Sequence, residues 1–156
     1  MVFTDLTPSS RHVALWIKGF EMSPEEARKL LPVHNVFMRR KGDFTRNGRL
    51  IRDNLLIYSF GFDGDQRWSD AINGLVDTLG GWETLENILT RIDPQERSLD
   101  FTIPVRGSLN QENNFFNREI LIKIGQLGLP LGFSFSDFDR TDPTHISPNT
   151  DYGDEA

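Results

Sequence analysis

The spacing of the apolar residues most constrains how this sequence folds, because it changes between two periods along the chain. Val13, Leu15 and Ile17 recur at every second position, which predicts a half-buried strand over 12–18. Apolar residues over 68–92 recur every three or four positions, as on one face of a helix, and Gly80-Gly81 interrupt them. The same two patterns predict strands over 33–38, 55–60, 98–106 and 131–136, and helices over 115–127 and from Pro24 to Pro32.

The resulting order, β-α-β-β-α-α-β-α-β, predicts one α+β domain over residues 10–140. Strands and helices do not alternate strictly, so we expect an antiparallel or mixed sheet that is covered by helices. A chain of 156 residues suits a single domain. It contains no cysteine, which excludes disulfides, thiolate metal sites and cysteine nucleophiles.

Charge is distributed unevenly along the chain. The formal net charge is -6, but residues 39–52 carry six cations against Asp43 alone. Glycines at 42 and 48 predict a loop there, and guanidinium groups bind carboxylate and phosphate well. This basic loop is therefore the first candidate site for a ligand or partner. Its cations are Arg39, Arg40, Lys41, Arg46, Arg49 and Arg52.

Acidic residues provide a second candidate surface for a partner. Glu83 and Glu86 lie in a predicted helix, and Asp137 and Asp139 follow the last predicted strand. Residues 141–156 contain four acidic residues and two prolines without apolar periodicity, which predicts a flexible acidic tail. Most aromatic residues fall at core-facing periods, and four are candidates for exposed anchors: Phe44, Trp82, Phe115 and Phe116.

Two motifs resemble catalytic or metal sites but lack the residues that would complete them. Asp137-Phe138-Asp139-Arg140-Thr141 matches the D-x-D-x-T nucleophile motif of haloacid-dehalogenase-type phosphatases. No lysine follows it to complete a magnesium-dependent site, so we predict a strand that runs into the tail. Asp63-Gly64-Asp65 resembles a calcium loop, but Arg67 occupies the next ligand position.

The remaining chemistry-bearing residues also predict no catalysis. His12, His34 and His145 lack metal-ligand spacing. The chain has neither a G-x-S-x-G nucleophile motif nor a glycine-rich phosphate loop. We therefore expect no catalytic residues, no metal, no cofactor and no enzyme activity.

Four segments of the chain resemble the bacterial domain-of-unknown-function 4279 family. They are LWIKGFEMSPEEARKLL, the Lys41-Gly42-Asp43 element, INGLVDTLGGWETLENIL and NREILIKIGQLGLPLGFSFSDFD. Together they span about residues 12–139. The resemblance implies a small α+β fold without an established activity, and some members of the family look like immunity proteins encoded beside toxins.

Three functions follow from these expectations. The first is a cytoplasmic immunity or inhibitor protein that binds and neutralises a toxin or effector protein. The second is a binder of a small anionic ligand, or an enzyme, that uses the 39–52 loop. The third is a phage-encoded inhibitor of a host defence system. The acidic net charge disfavours nucleic acid as a partner. No apolar run is long enough to span a membrane, and the N-terminus has no secretory signal pattern.

Overall fold

Within the described residues, five strands and four helices follow each other in the predicted order. The computed structural model describes residues 11–104 and 114–136. The α+β class predicted from the sequence is confirmed. The elements are β1 (Arg11–Lys18), α1 (Pro24–Lys29), β2 (Val36–Arg39), β3 (Leu55–Phe62), α2 (Trp68–Thr78), α3 (Trp82–Ile92), β4 (Glu96–Pro104), α4 (Arg118–Gln126) and β5 (Leu131–Ser136).

The strands form one mixed sheet with the order β2-β3-β1-β4-β5. β1 pairs antiparallel with both β3 and β4, and β2 pairs antiparallel with β3. β5 runs parallel to β4, and α4 connects these two neighbouring strands. β2 and β5 are therefore the edge strands of the described sheet.

The main core lies between the helices and one face of the sheet. Val13, Leu15 and Ile17 of β1 are buried on that face, as their alternation predicts. Buried residues of all four helices belong to the same cluster. From α2 and its C-cap residue Leu79, the predicted stripe contributes residues without any exposed surface: Ile72, Leu75, Val76 and Leu79. The apolar residues of β1, spaced two apart, and those of α2, spaced three or four apart, thus pack against each other in one layer.

The opposite face of the sheet carries a smaller apolar cluster. Ala14, Leu55 and Ile57 are buried there, and Trp16 and Phe37 pack against them. β3 is therefore buried on both faces along Leu55–Tyr58. This explains why its sequence shows a continuous apolar run instead of an alternation.

Several element ends differ from the sequence prediction. β2 begins at Val36 instead of residue 33, and α1 ends at Lys29, before Pro32. α4 begins at Arg118 instead of 115, because the Asn117 side chain caps it by accepting a hydrogen bond from the Ile120 N–H. β4 spans Glu96–Pro104, and residues 105 and 106 of the predicted strand lie outside the described residues. The predicted tail over 141–156 also lies outside them.

We predict that Gly74→Ala destabilises the protein although alanine is the better helix former. A Cβ atom at Gly74 in α2 would lie 2.6 Å from Cζ of Phe60 on β3, so the ring would have to move. We expect the free energy of unfolding in urea to fall by about 1–3 kcal/mol. Gly125→Ala in α4 is the matched control, because nothing lies within 4 Å of the new methyl group. In this control the free energy of unfolding should rise by about 0.5–1 kcal/mol. Equal effects of the two changes would contradict the close packing of α2 on β3.

We also predict that acidification weakens the fold through His12. Burial lowers the pKa of the His12 imidazole below its ordinary value of 6.5. The unfolded chain therefore binds this proton more readily, and stability is lost as the pH falls below 6.5. Urea unfolding at a series of pH values should show a smaller loss below that pH in His12→Gln than in the wild type. Parallel pH profiles of the two proteins would contradict this prediction.

Candidate functional site

The predicted basic loop connects β2 to β3, and within it the chain folds back on itself as a short hairpin. Phe44 and Leu50 form an antiparallel bridge. The Thr45 N–H donates to the Arg49 carbonyl oxygen at 2.8 Å, and the Ile51 N–H donates to the Asp43 carbonyl oxygen at 2.8 Å. These cross-strand bonds give residues 40–53, called the basic hairpin below, a defined backbone.

A tight turn closes the hairpin at its tip. The Gly48 N–H donates to the Thr45 carbonyl oxygen at 2.9 Å, and the Arg49 N–H donates to the Thr45 hydroxyl at 3.1 Å. Gly48 has a φ of 76°, a conformation that favours glycine. The turn therefore carries Arg46 outward at the end of the hairpin.

Asn54 anchors the base of the hairpin to the body of the protein. Its side chain is buried, and its Oδ1 accepts the Lys41 N–H at 2.8 Å. Its Nδ2 donates to the carbonyl oxygens of Phe20 and Met22 at 2.9 and 3.2 Å. One amide thus joins the hairpin to the segment before α1. Sequence reasoning missed this residue, whose only signal is a polar side chain directly before a buried strand.

The six predicted cations do not form one cluster, because Arg39 and Arg40 have separate partners. Arg39 ends β2, and its guanidinium lies 5.4 Å from the centre of the Phe37 ring. Arg40 forms an ion pair with Glu25 in the first turn of α1. A backbone hydrogen bond at this helix start and the Arg40 guanidinium lower the pKa of the Glu25 carboxyl. These two arginines therefore have contacts within the protein, and their predicted part in binding stays a prediction.

The other four cations line the exposed hairpin. Lys41, Arg46, Arg49 and Arg52 are all exposed. Among the residues that the structure describes, Lys41, Arg46 and Arg52 have no ion-pair partner. Asp53, the nearest acid in sequence to Arg52, lies 3.9 Å from Lys18 instead. The hairpin carries five cations against Asp43 and Asp53, a net charge of +3.

Two large apolar side chains share the hairpin with these cations. Phe44 is 69% exposed and its bridge partner Leu50 is 53% exposed. Phe115 is also exposed, whereas Phe116 and Trp82 are partly buried against the core, which corrects their prediction as surface anchors. Partly desolvated aromatic and arginine side chains are enriched at protein interfaces. The hairpin thus presents an exposed apolar pair in a segment that also carries exposed cations.

A cavity of about 460 Å³ lies at the start of β4, and the hairpin does not line it. Trp16, Lys18, Glu96 and Arg97 contribute to its wall. Lys18 lies 3.6 Å from Glu96 as well as near Asp53, so its charge is already offset. The cavity therefore offers an anion little beyond Arg97.

The acidic candidates are not brought together with the hairpin. Glu83 and Glu86 are exposed and lie one turn apart on α3. Asp137 and Asp139, and with them the D-x-D-x-T segment, lie outside the described residues. In the described ranges, no group of three or more histidine, aspartate or glutamate side chains is placed to hold a metal ion.

We predict that Asn54→Ala loosens the hairpin and also destabilises the fold. The change leaves the Lys41 N–H and the Phe20 carbonyl without their partner, and a buried unsatisfied group costs about 1–3 kcal/mol. The free energy of unfolding should fall by that amount, and the Lys41 amide should exchange faster with deuterium. Asn35→Ala is the matched control, since Asn35 is exposed. Unchanged exchange at Lys41 would contradict the anchoring role of Asn54.

None of the four described helices has the length and apolar composition that a membrane span requires. Comparison of the chain with protein-family models, with curated proteins and with solved structures found no match. The resemblance to the 4279 family therefore stays a prediction from the sequence, and the site must be interpreted from its own geometry.

Proposed function

We propose that this chain is a non-catalytic binding protein that holds an acidic surface of a protein partner with its basic hairpin. The class that we propose is an immunity or inhibitor protein, which neutralises a toxin or effector protein by covering part of its surface. The observation that carries this proposal is the exposed Phe44–Leu50 pair beside Lys41, Arg46 and Arg52.

The shape of the hairpin favours a protein surface over a small anion. Sites for small molecules are usually concave and enclose most of the ligand. The hairpin instead consists of two short, exposed segments joined by a turn, and it does not line the described cavity. A partner protein can cover both the apolar pair and the surrounding cations, as in an interface with an apolar centre and a polar rim.

The charge of the hairpin favours an acidic partner. Three of its cations have no ion-pair partner among the described residues, so an approaching carboxylate would not have to displace an internal one. Positive charge on an exposed tip also speeds encounter with a negative surface. Glu83 and Glu86 are the weaker candidates, because no exposed large apolar side chain of α3 accompanies them.

We predict that the triple variant Phe44→Ala, Arg46→Ala, Arg52→Ala loses its protein partner and remains folded. Wild type and variant would be used to capture proteins from the native host, with quantification by mass spectrometry, and Kd would then be measured on the purified partner. Loss of the aromatic anchor and of two charge-assisted contacts should raise Kd about 100-fold or more. Binding by the wild type should also weaken with added salt.

Glu83→Gln with Glu86→Gln is the matched control, since it removes two exposed charges from another surface. The control should retain the partner and its affinity. The reverse result, with the partner lost from the control and retained by the triple variant, would contradict the role of the hairpin. For the inhibitor class, co-expression of the wild type should relieve the toxicity of the captured protein, and co-expression of the triple variant should not.

A further inference from the structure

The edge strand β5 has the features of a strand that pairs with another strand. It pairs with β4 along one edge, and no described strand lies along the other. Its sequence, Leu-Gly-Phe-Ser-Phe-Ser, contains no charged residue and no proline. Sheet proteins usually protect an open edge with lysine, proline or a bulge. β5 contains neither lysine nor proline.

The register of β5 with β4 decides which of its backbone groups face the open edge. Leu99 is aligned with Leu131, and the Leu99 N–H donates to the Pro130 carbonyl oxygen at 2.9 Å. In a parallel pair such a residue bonds to the residues before and after its aligned partner. Gly132 and Ser134 therefore direct their backbone groups to β4. Leu131, Phe133 and Phe135 direct their N–H and C=O groups outward.

The side chains of the same three residues share one face of the sheet. Phe133 packs against Trp68, Phe101 and Phe116, with ring centres 5.5–6.1 Å apart, and still remains 42% exposed. Phe135, two residues further, is 64% exposed. The outer edge of β5, along which no described strand lies, thus combines outward hydrogen-bonding groups with accessible aromatic surface.

We propose that β5 pairs antiparallel with β5 of a second copy of this chain, with Phe133 on the twofold axis. In this register Phe133 lies opposite Phe133 of the second copy, and Leu131 and Phe135 lie opposite each other on either side of it. Each such antiparallel pair exchanges two backbone hydrogen bonds. All outward groups of Leu131, Phe133 and Phe135 then have partners, and the two sheets form one continuous sheet of ten described strands.

The sequence of β5 fits a second copy better than an unrelated strand. A twofold axis places the strand against its own reverse, so any charge near the axis would face a like charge. The segment 131–135 reads large, small, large, small, large in both directions and is uncharged. Leu121 and Ile122 of α4, the helix that connects β4 to β5, are exposed as well and can add apolar contact beside the strands.

The proposal is tested by the mass of the full-length protein in solution, measured by light scattering and by sedimentation at several concentrations. We expect the wild type to approach twice 17.9 kDa as concentration rises. Phe135→Lys should raise the dimer dissociation constant at least tenfold, because it places a charge within the paired edge. Phe115→Lys is the matched control, since Phe115 is similarly exposed, at 63%, but lies outside β5. It should dimerise like the wild type.

The register is tested with single cysteines, because the chain has none of its own. Hydrogen-bonded antiparallel partners have Cα atoms about 5.5 Å apart, which a disulfide can bridge. Phe133→Cys should therefore form covalent dimers on mild oxidation. In Phe135→Cys the two cysteines would lie four residues apart along the strand, roughly 14 Å, and should not cross-link.

A wild type that stays monomeric at all concentrations would overturn the proposal. A dimer that survives Phe135→Lys, or that cross-links through residue 135 and not 133, would overturn it too. Phe133 also packs in the core, so the cross-linking of Phe133→Cys is interpreted only if circular dichroism shows that this variant is folded. If it is not folded, the effect of Phe135→Lys on the dimer decides between the proposal and its rejection. The hairpin triple variant should still dimerise, which separates this result from the proposed function.

Discussion

The two-sided burial of β1 is the constraint on which the rest of the structure depends. Its backbone is hydrogen-bonded to β3 on one side and to β4 on the other. Val13, Leu15 and Ile17 fill the layer beneath the helices, while Ala14 contributes to the cluster on the opposite face. β3 and β2 continue the sheet on one side of β1, and β4 and β5 continue it on the other. Any slip of β1 by one residue would exchange its two faces and expose the central layer of the core.

The basic hairpin depends on this core through β3. β3 is paired on both edges and apolar on both faces, so its first residue, Leu55, is fixed, and Asn54 directly before it is fixed as well. Because Asn54 Oδ1 accepts the Lys41 N–H, the other end of the hairpin is held in place as well. The Arg40–Glu25 pair adds a second attachment, to α1. An exposed binding segment is thus held at its base, so that little conformational freedom remains to be lost there on binding.

The sequence predicted the element order because its signals are local: apolar periodicity in most elements, a continuous apolar run in β3 and a capped start in α1. It did not predict the hairpin, since the Phe44–Leu50 bridge arises from pairing across a turn and leaves both side chains exposed, where no burial pattern marks them. The pairing of Arg40 with Glu25 was not predicted either, because it joins the hairpin to a helix 15 residues away in the chain. Strand order, and with it the place of β5 at the edge of the described sheet, depends on pairing between distant segments that composition does not reveal.

The topology also sets the order in which the protein can fold during synthesis. His12 of β1 aligns with Thr102 of β4, so 90 residues separate two neighbours in the centre of the sheet. At usual translation rates the ribosome needs roughly 5–18 s to make that length of chain. Until then β1 can pair with β3 but not with β4, so one of its two edges lacks its partner. Contacts of this sequence separation slow folding. During synthesis the sheet can therefore form on one side of its central strand first, and it is completed on the other side only when β4 has emerged.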